Sequence, residues 1–168
     1  SCLSLTGELF TNGAYLDLAG ATGLDWTPST EDFTISVWFR MSTGAAPAME
    51  WIVSKADTTS PIYQYAIWIE SGVVKATTNV ANNVAGPNVQ DGLWHHAVLS
   101  NNGAGSGDYE FYLDGALQGA DTAGATKTGE DPMVGCAKTF FPVATPMLLS
   151  TIRLVPTMPP QSFSAQAK

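Results

Sequence analysis

Phe33-Thr34-Ile35-Ser36-Val37-Trp38-Phe39-Arg40-Met41 is the stretch whose reading decides the fold. Its odd positions are all apolar, and its even positions are polar except for Trp38. A period of two describes a strand with one face on a core. Tyr63-Gln64-Tyr65-Ala66-Ile67-Trp68-Ile69-Glu70 alternates in the same way. Ser71-Gly72 follows, then a Val-rich run over residues 73–80, and the pair reads as a hairpin. His95-His96-Ala97-Val98-Leu99-Ser100 is a further strand. Residues 109–113, the turn Asp114-Gly115 and a short return arm over 116–119 form a second hairpin. Shorter strands are expected at 3–6, 15–18, 51–55, 133–138 and 147–155. No window carries a sustained 3.6-residue stripe, so little or no helix is expected. Many short strands between turn clusters make an all-β sandwich or barrel.

The chain has 168 residues, a length that suits one domain. Residues 1–155 are read as that domain, and 156–168, opening on Pro156, as an extended tail. Charged residues make up 13%, near half the usual ~25%. Hydrophobic content is 45%, so the composition of a disordered chain is absent. Seven Lys+Arg against fifteen Asp+Glu, a net charge of -8, argue against nucleic acid or an anionic membrane as partner. No apolar run reaches the ~18 residues of a membrane span, so no membrane insertion is expected. Ser1-Cys2-Leu3-Ser4-Leu5 lacks the basic start and apolar core of a signal peptide. The chain starts at Ser1 rather than Met, which leaves room for a processed segment before it. Cys2 and Cys136 permit one disulfide or two free thiols, and their separation excludes CxxC redox chemistry and ordinary zinc spacing.

Several phrases together resemble the laminin-G-like, pentraxin-type branch of the concanavalin A-like lectin/glucanase superfamily. Leu3-Ser4-Leu5-Thr6-Gly7 with Gly13-Ala14-Tyr15-Leu16-Asp17-Leu18 resembles that family's first hairpin. Asp32 followed by residues 33–40 resembles its "FTISxWF" strand, and Trp51-Ile52-Val53-Ser54-Lys55 its "LxSK" strand. Asp91-Gly92-Leu93-Trp94-His95-His96-Ala97-Val98 resembles "DGxWHHVAV", and Phe111-Tyr112-Leu113-Asp114-Gly115 resembles "LYVDG". Ser150-Thr151-Ile152-Arg153-Leu154 resembles the terminal "IxEVRIY" strand. The resemblance implies a two-sheet antiparallel jelly-roll sandwich.

Within such a sandwich Asp114-Gly115 supplies the positive φ angles of a tight hairpin, and Asp91-Gly92 turns the chain into the Trp94 strand. Phe33, Ile35, Val37, Tyr65, Ile67, Leu99 and Phe111 are the expected core. Trp38, Trp51, Trp68 and Trp94 are expected to fill the space between the sheets or plug its ends. The family fold also places the first and last strands together in one sheet. With Cys2 on the first strand and Cys136 on a late one, the sulfurs could meet, for about 4–5 kcal/mol in the chain-entropy model.

The superfamily includes glucanases, whose retaining chemistry needs two carboxyl groups about 5–5.5 Å apart. No Glu-x-Asp-x-x-Glu cluster is present; the nearest pairs, Glu31-Asp32 and Glu130-Asp131, are sequence neighbours at turns. His95 and His96 point to opposite faces of a strand and cannot share one metal. Ser100 lacks a nucleophile elbow. No catalytic residue is assigned and no enzyme is expected. Calcium is the one cofactor that the resemblance implies, with Asp57 as its acidic ligand and Asn82, Asn83 or Asn88 beside it. The alternative is a solvated loop carboxylate. For glycan binding, Asn79, Asn82, Asn83, Asn88 and Gln90 supply amides, and Trp68 or Tyr63 an aromatic platform. The alternative is asparagines that satisfy loop backbone and a Trp68 in the core.

Two roles follow. The first is a non-catalytic recognition or adhesion module at an exterior surface, with a glycan or a surface protein as partner. The second is a decoration protein on a phage virion or another extracellular assembly, with neighbouring subunits, or further copies, as partners. A glucanase-like hydrolase is the third reading, discounted by the missing carboxylates.

Overall fold

Alternation in the sequence becomes two stacked sheets. The computed structural model describes residues 8–10, 15–17, 26–28, 30–44, 49–56, 63–78, 82–102, 108–122, 133–135 and 147–156. Within them the chain forms strands and no helix. In order these are β1 (Glu8–Phe10), β2 (Tyr15–Asp17), β3 (Phe33–Met41), β4 (Glu50–Ala56), β5 (Tyr63–Glu70) and β6 (Val73–Thr77). They continue with β7 (Val84–Asn88), β8 (Trp94–Asn102), β9 (Asp108–Leu113), β10 (Ala116–Thr122), β11 (Met133–Gly135) and β12 (Met147–Pro156). The first sheet has the order β1-β12-β3-β8-β9-β10 and the second β2-β11-β4-β5-β6-β7. Every pairing is antiparallel. This is the expected jelly-roll sandwich.

β3 explains how the layers meet. Phe33, Ile35, Val37, Phe39 and Met41 are fully buried, while Trp38 and Arg40 between them are exposed. All seven expected core residues belong to one buried cluster fed by both sheets. Each such side chain contributes about 1.5–3 kcal/mol. Trp26, which the sequence does not single out, plugs one end. It stacks on Phe33 at 4.7 Å and 12°, and tilts against Tyr65 at 5.7 Å. Buried Asn101 holds that plug in place by donating to the carbonyls of Pro28 and Glu31, each at 2.8 Å.

The tryptophan expectation needs correcting. Trp38 and Trp94 lie on the outer face of the first sheet, not between the layers. Their position follows from strand parity, because inward Val37, Phe39, His95 and Ala97 flank them. Trp51 and Trp68 are buried, but in a separate cluster with Ala66 and Met49. They are cross-strand partners with rings 5.6 Å apart, on the face of β5 away from Ile67.

Other differences are local. β6 stops at Thr77, and β7 occupies a stretch read as loop. Its Gly86-Pro87 resembles a turn in sequence, but a proline is tolerated on an edge strand, where β7 lies. β10 runs to Thr122, three residues beyond the expected arm. β1 and β12 are neighbours, as expected of the first and last strands. β11, which Cys136 follows, belongs instead to the second sheet. Cys2, Cys136, the expected strand at 3–6 and the tail beyond Pro156 lie outside the described residues.

Candidate binding surface

The expected amide cluster is not one site. Asn82 and Asn83 precede β7, whereas Asn88 closes it, so about five residues of extended chain, roughly 17 Å, separate them. Asn82 donates from Nδ2 to Asp121 Oδ1 at 3.4 Å, and its carbonyl accepts the Thr77 hydroxyl at 2.5 Å. Asn88 Oδ1 accepts the Gln90 amide N–H at 2.9 Å, and Gln90 Nε2 donates to the Gly44 carbonyl at 3.1 Å. These bonds shape loops. Trp68 is buried beside Trp51 and offers no open platform. Tyr63 begins β5, while Asn79 and Asp57 lie outside the described residues. Among the described residues, no three His, Cys, Asp or Glu side chains are arranged to hold a metal ion.

β8 sends its two histidines to opposite faces, as the sequence implies. His95 turns inward, with Nδ1 2.8 Å from Asp114 Oδ2 and Nε2 3.1 Å from Asp91 Oδ1. Two ring nitrogens that each face a carboxylate oxygen require two N–H donors, the imidazolium form. Burial opposes that charge, yet the bonds and charges of Asp114 and Asp91 prevail and hold His95 above its ordinary value. Asp91 also accepts the Leu93 N–H at 2.8 Å, the foremost reason its carboxyl is held low. Asp114 Oδ1 accepts the His96 N–H at 2.8 Å. Burial works against the Asp114 charge, but His95 and that backbone bond carry it below the usual range. The two Asp-Gly turns are thus tied together by one histidine. Both carboxylates are spent on the clamp.

The outer face of the first sheet is different. In register, Trp38 lies opposite His96 and Arg40 opposite Trp94. The Trp38 and His96 rings stack at 4.7 Å and 16°. The Arg40 guanidinium sits 5.7 Å from the Trp94 ring centroid, a cation–π distance. His96 Nε2 is 2.8 Å from Ser36 Oγ. That pair has the reach of a nucleophile and base, and among the described residues no carboxylate is hydrogen-bonded to the imidazole. Val98 and Tyr112 continue the face toward β10, and the Tyr112 hydroxyl donates to Glu110 Oε2 at 2.6 Å. Trp38 is 43% exposed, Trp94 40%, Leu93 62% and Leu117 54%. Contiguous aromatic and apolar exposure of this kind marks interaction sites. The missed signal was available: Trp38 broke the alternation of β3, and the same parity placed Trp94 and His96 beside it.

The comparisons agree with the fold. The profile of the Laminin_G_3 family, described as Concanavalin A-like lectin/glucanases superfamily, matches residues 10–144. No curated protein matches the chain. Among solved structures, the binding domain of Paraclostridial Mosquitocidal Protein 1 superposes with a TM-score of 0.65 at 11% identity. That likeness covers 92% of this chain but 44% of the toxin domain, so the chain spans less than half of that relative. The CBM40 of a Ruminococcus gnavus IT-sialidase, bound to alpha2,3 sialyllactose, gives 0.64 at 16% identity over 88% of this chain and 91% of its own. An endo-beta-1,4-glucuronan lyase from the fungus Trichoderma reesei gives 0.56 at 17% identity, covering 93% and 81%.

Proposed function

The chain belongs to the concanavalin A-like lectin/glucanases superfamily, and from that premise we propose that it is a non-catalytic recognition module, binding glycan at an exterior surface. One observation carries this reading: two half-exposed tryptophans share a sheet face with Arg40, His96 and Ser36. Indole faces beside hydrogen-bonding groups suit a ligand with an apolar face and a polar rim, as a sugar has. The neighbours add support, since two of the three named above are binding domains and one of these is bound to a sialylated sugar. The lyase is the counterweight. Against catalysis here stands the clamp, which engages both carboxylates that approach a histidine.

Probing a broad array of neutral and acidic glycans with the full chain, with and without EDTA, tests this reading. Binding to a subset of glycans that survives EDTA is expected. Loss with EDTA would assign a calcium ion, with Asp57 as the acidic ligand to mutate first. Silence across the array would overturn glycan recognition.

A second reading, decoration of a phage capsid, draws on exposed Leu93 and Leu117, apolar surface that a neighbouring subunit would cover. Native mass measurements on the source material distinguish the two. A stoichiometric place in a particle supports the capsid, and a free monomer excludes it.

A further inference from the structure

Building on the glycan-recognition reading, we propose that the outer face of the first sheet takes a carbohydrate bearing a carboxylate, with Trp38 and Trp94 as stacking surfaces and Arg40 as the partner of the anion.

Arg40 decides the ligand's charge. The chain has seven Lys+Arg against fifteen Asp+Glu, so cations are scarce and potential partners plentiful. Yet among the described residues no carboxylate lies within ion-pair reach of Arg40, whose recorded contact is the Trp94 ring. Lys75, by contrast, holds Glu70 at 2.6 Å. A guanidinium lying over an indole keeps its N–H edge open to solvent, and that edge matches a carboxylate in two parallel bonds. A net charge of -8 disfavours the same ligand away from such a cation.

Register sets the size. Trp38 and Trp94 are diagonal neighbours across β3 and β8, a separation of roughly 7–8 Å. That spacing suits adjacent rings of a short oligosaccharide. Ser36 and His96, already bonded to each other, retain a hydroxyl lone pair and an imidazole edge for sugar hydroxyls beside the Trp38 ring. A polyanion or an anionic membrane is a poor fit to a chain with seven Lys+Arg against fifteen Asp+Glu, since such partners are held by many cations.

The test is titration calorimetry of the full chain with alpha2,3 sialyllactose, an oligoglucuronate and neutral lactose. The first two separate a sialic acid from a uronic acid as the source of the carboxylate. At least one acidic sugar is expected to bind, and lactose about tenfold or more weaker. Arg40→Gln should remove that advantage, bringing the acidic sugar down to the level of lactose, whereas Trp38→Ala should weaken both. All three side chains are exposed, and circular dichroism reports whether each variant folds, so the test survives the loss of any one. Acidic sugars bound equally by wild type and by Arg40→Gln, Trp38→Ala and Trp94→Ala would place recognition elsewhere and overturn this surface alone. Binding of neutral sugars only would overturn the charge assignment. A chain that binds no glycan at all fails the broader reading, and this one with it.

Discussion

Glu50 opens β4 opposite Ile69, is 1% exposed, and has no hydrogen-bond partner among the described residues for either carboxylate oxygen. A bulge put it there. Between Trp51 and Val53 the register slips by one residue, so Glu50 faces with Val53 rather than with Ile52 and Ser54. Simple alternation through residues 51–55 cannot reveal this, because the extra residue reverses the parity ahead of it. Burial alone raises the Glu50 carboxyl from 4.5 to about 7. A carboxyl that binds its proton more tightly when folded costs stability as pH rises from the unfolded value through the folded one. Wild type should therefore lose stability between about pH 4.5 and pH 7, by no more than roughly 3 kcal/mol. Glu50→Gln should remove most of that slope and melt higher than wild type at pH 8. Urea unfolding across this range checks it; parallel pH profiles would show that Glu50 is solvated. The contrast with Trp38 is instructive, since no bulge interrupts β3 before it and its outward position could be read directly.

Elements were legible where pattern and turn chemistry agreed. Ser71-Gly72 and Asp114-Gly115 adopt φ values of 51° with 82° and 51° with 80°, the paired positive angles of a two-residue hairpin turn. β7 was not legible, because a short edge strand carrying Gly86 and Pro87 has the composition of a loop. The two hairpins make a paired prediction. A side chain at Gly115 meets nothing within 4 Å, so Gly115→Ala should cost only the strain of positive φ, about 1–2 kcal/mol. At Gly72 a Cβ would come within 2.6 Å of Asn88 Nδ2, the amide whose Oδ1 accepts from Gln90. Gly72→Ala should therefore cost about 1 kcal/mol more, the worth of that displaced bond. In an Asn88→Ala background the difference should vanish. Equal costs in the wild-type background would mean that Asn88 yields freely.

On the scale of the whole molecule, the sandwich and its core were written in alternation, whereas the binding surface was not, for a physical reason. Loop amides attract attention because sugars need hydrogen bonds, yet Asn82 and Asn88 fall at opposite ends of β7 and satisfy their own loops. An outward tryptophan is easily assigned to a core, since its size favours burial. Only the cross-strand register brings Trp38, Arg40, Trp94 and His96 into one patch. The five tryptophans of the chain then become reporters, because Trp26, Trp51 and Trp68 are buried while Trp38 and Trp94 face solvent. Fluorine NMR of 5-fluorotryptophan-labelled protein, titrated with the oligosaccharide it binds best, tests the central claim most directly. The Trp38 and Trp94 resonances should move with ligand while the other three stay still. Movement confined to Trp26, Trp51 or Trp68, or a saturated titration in which none of the five moves, would contradict it.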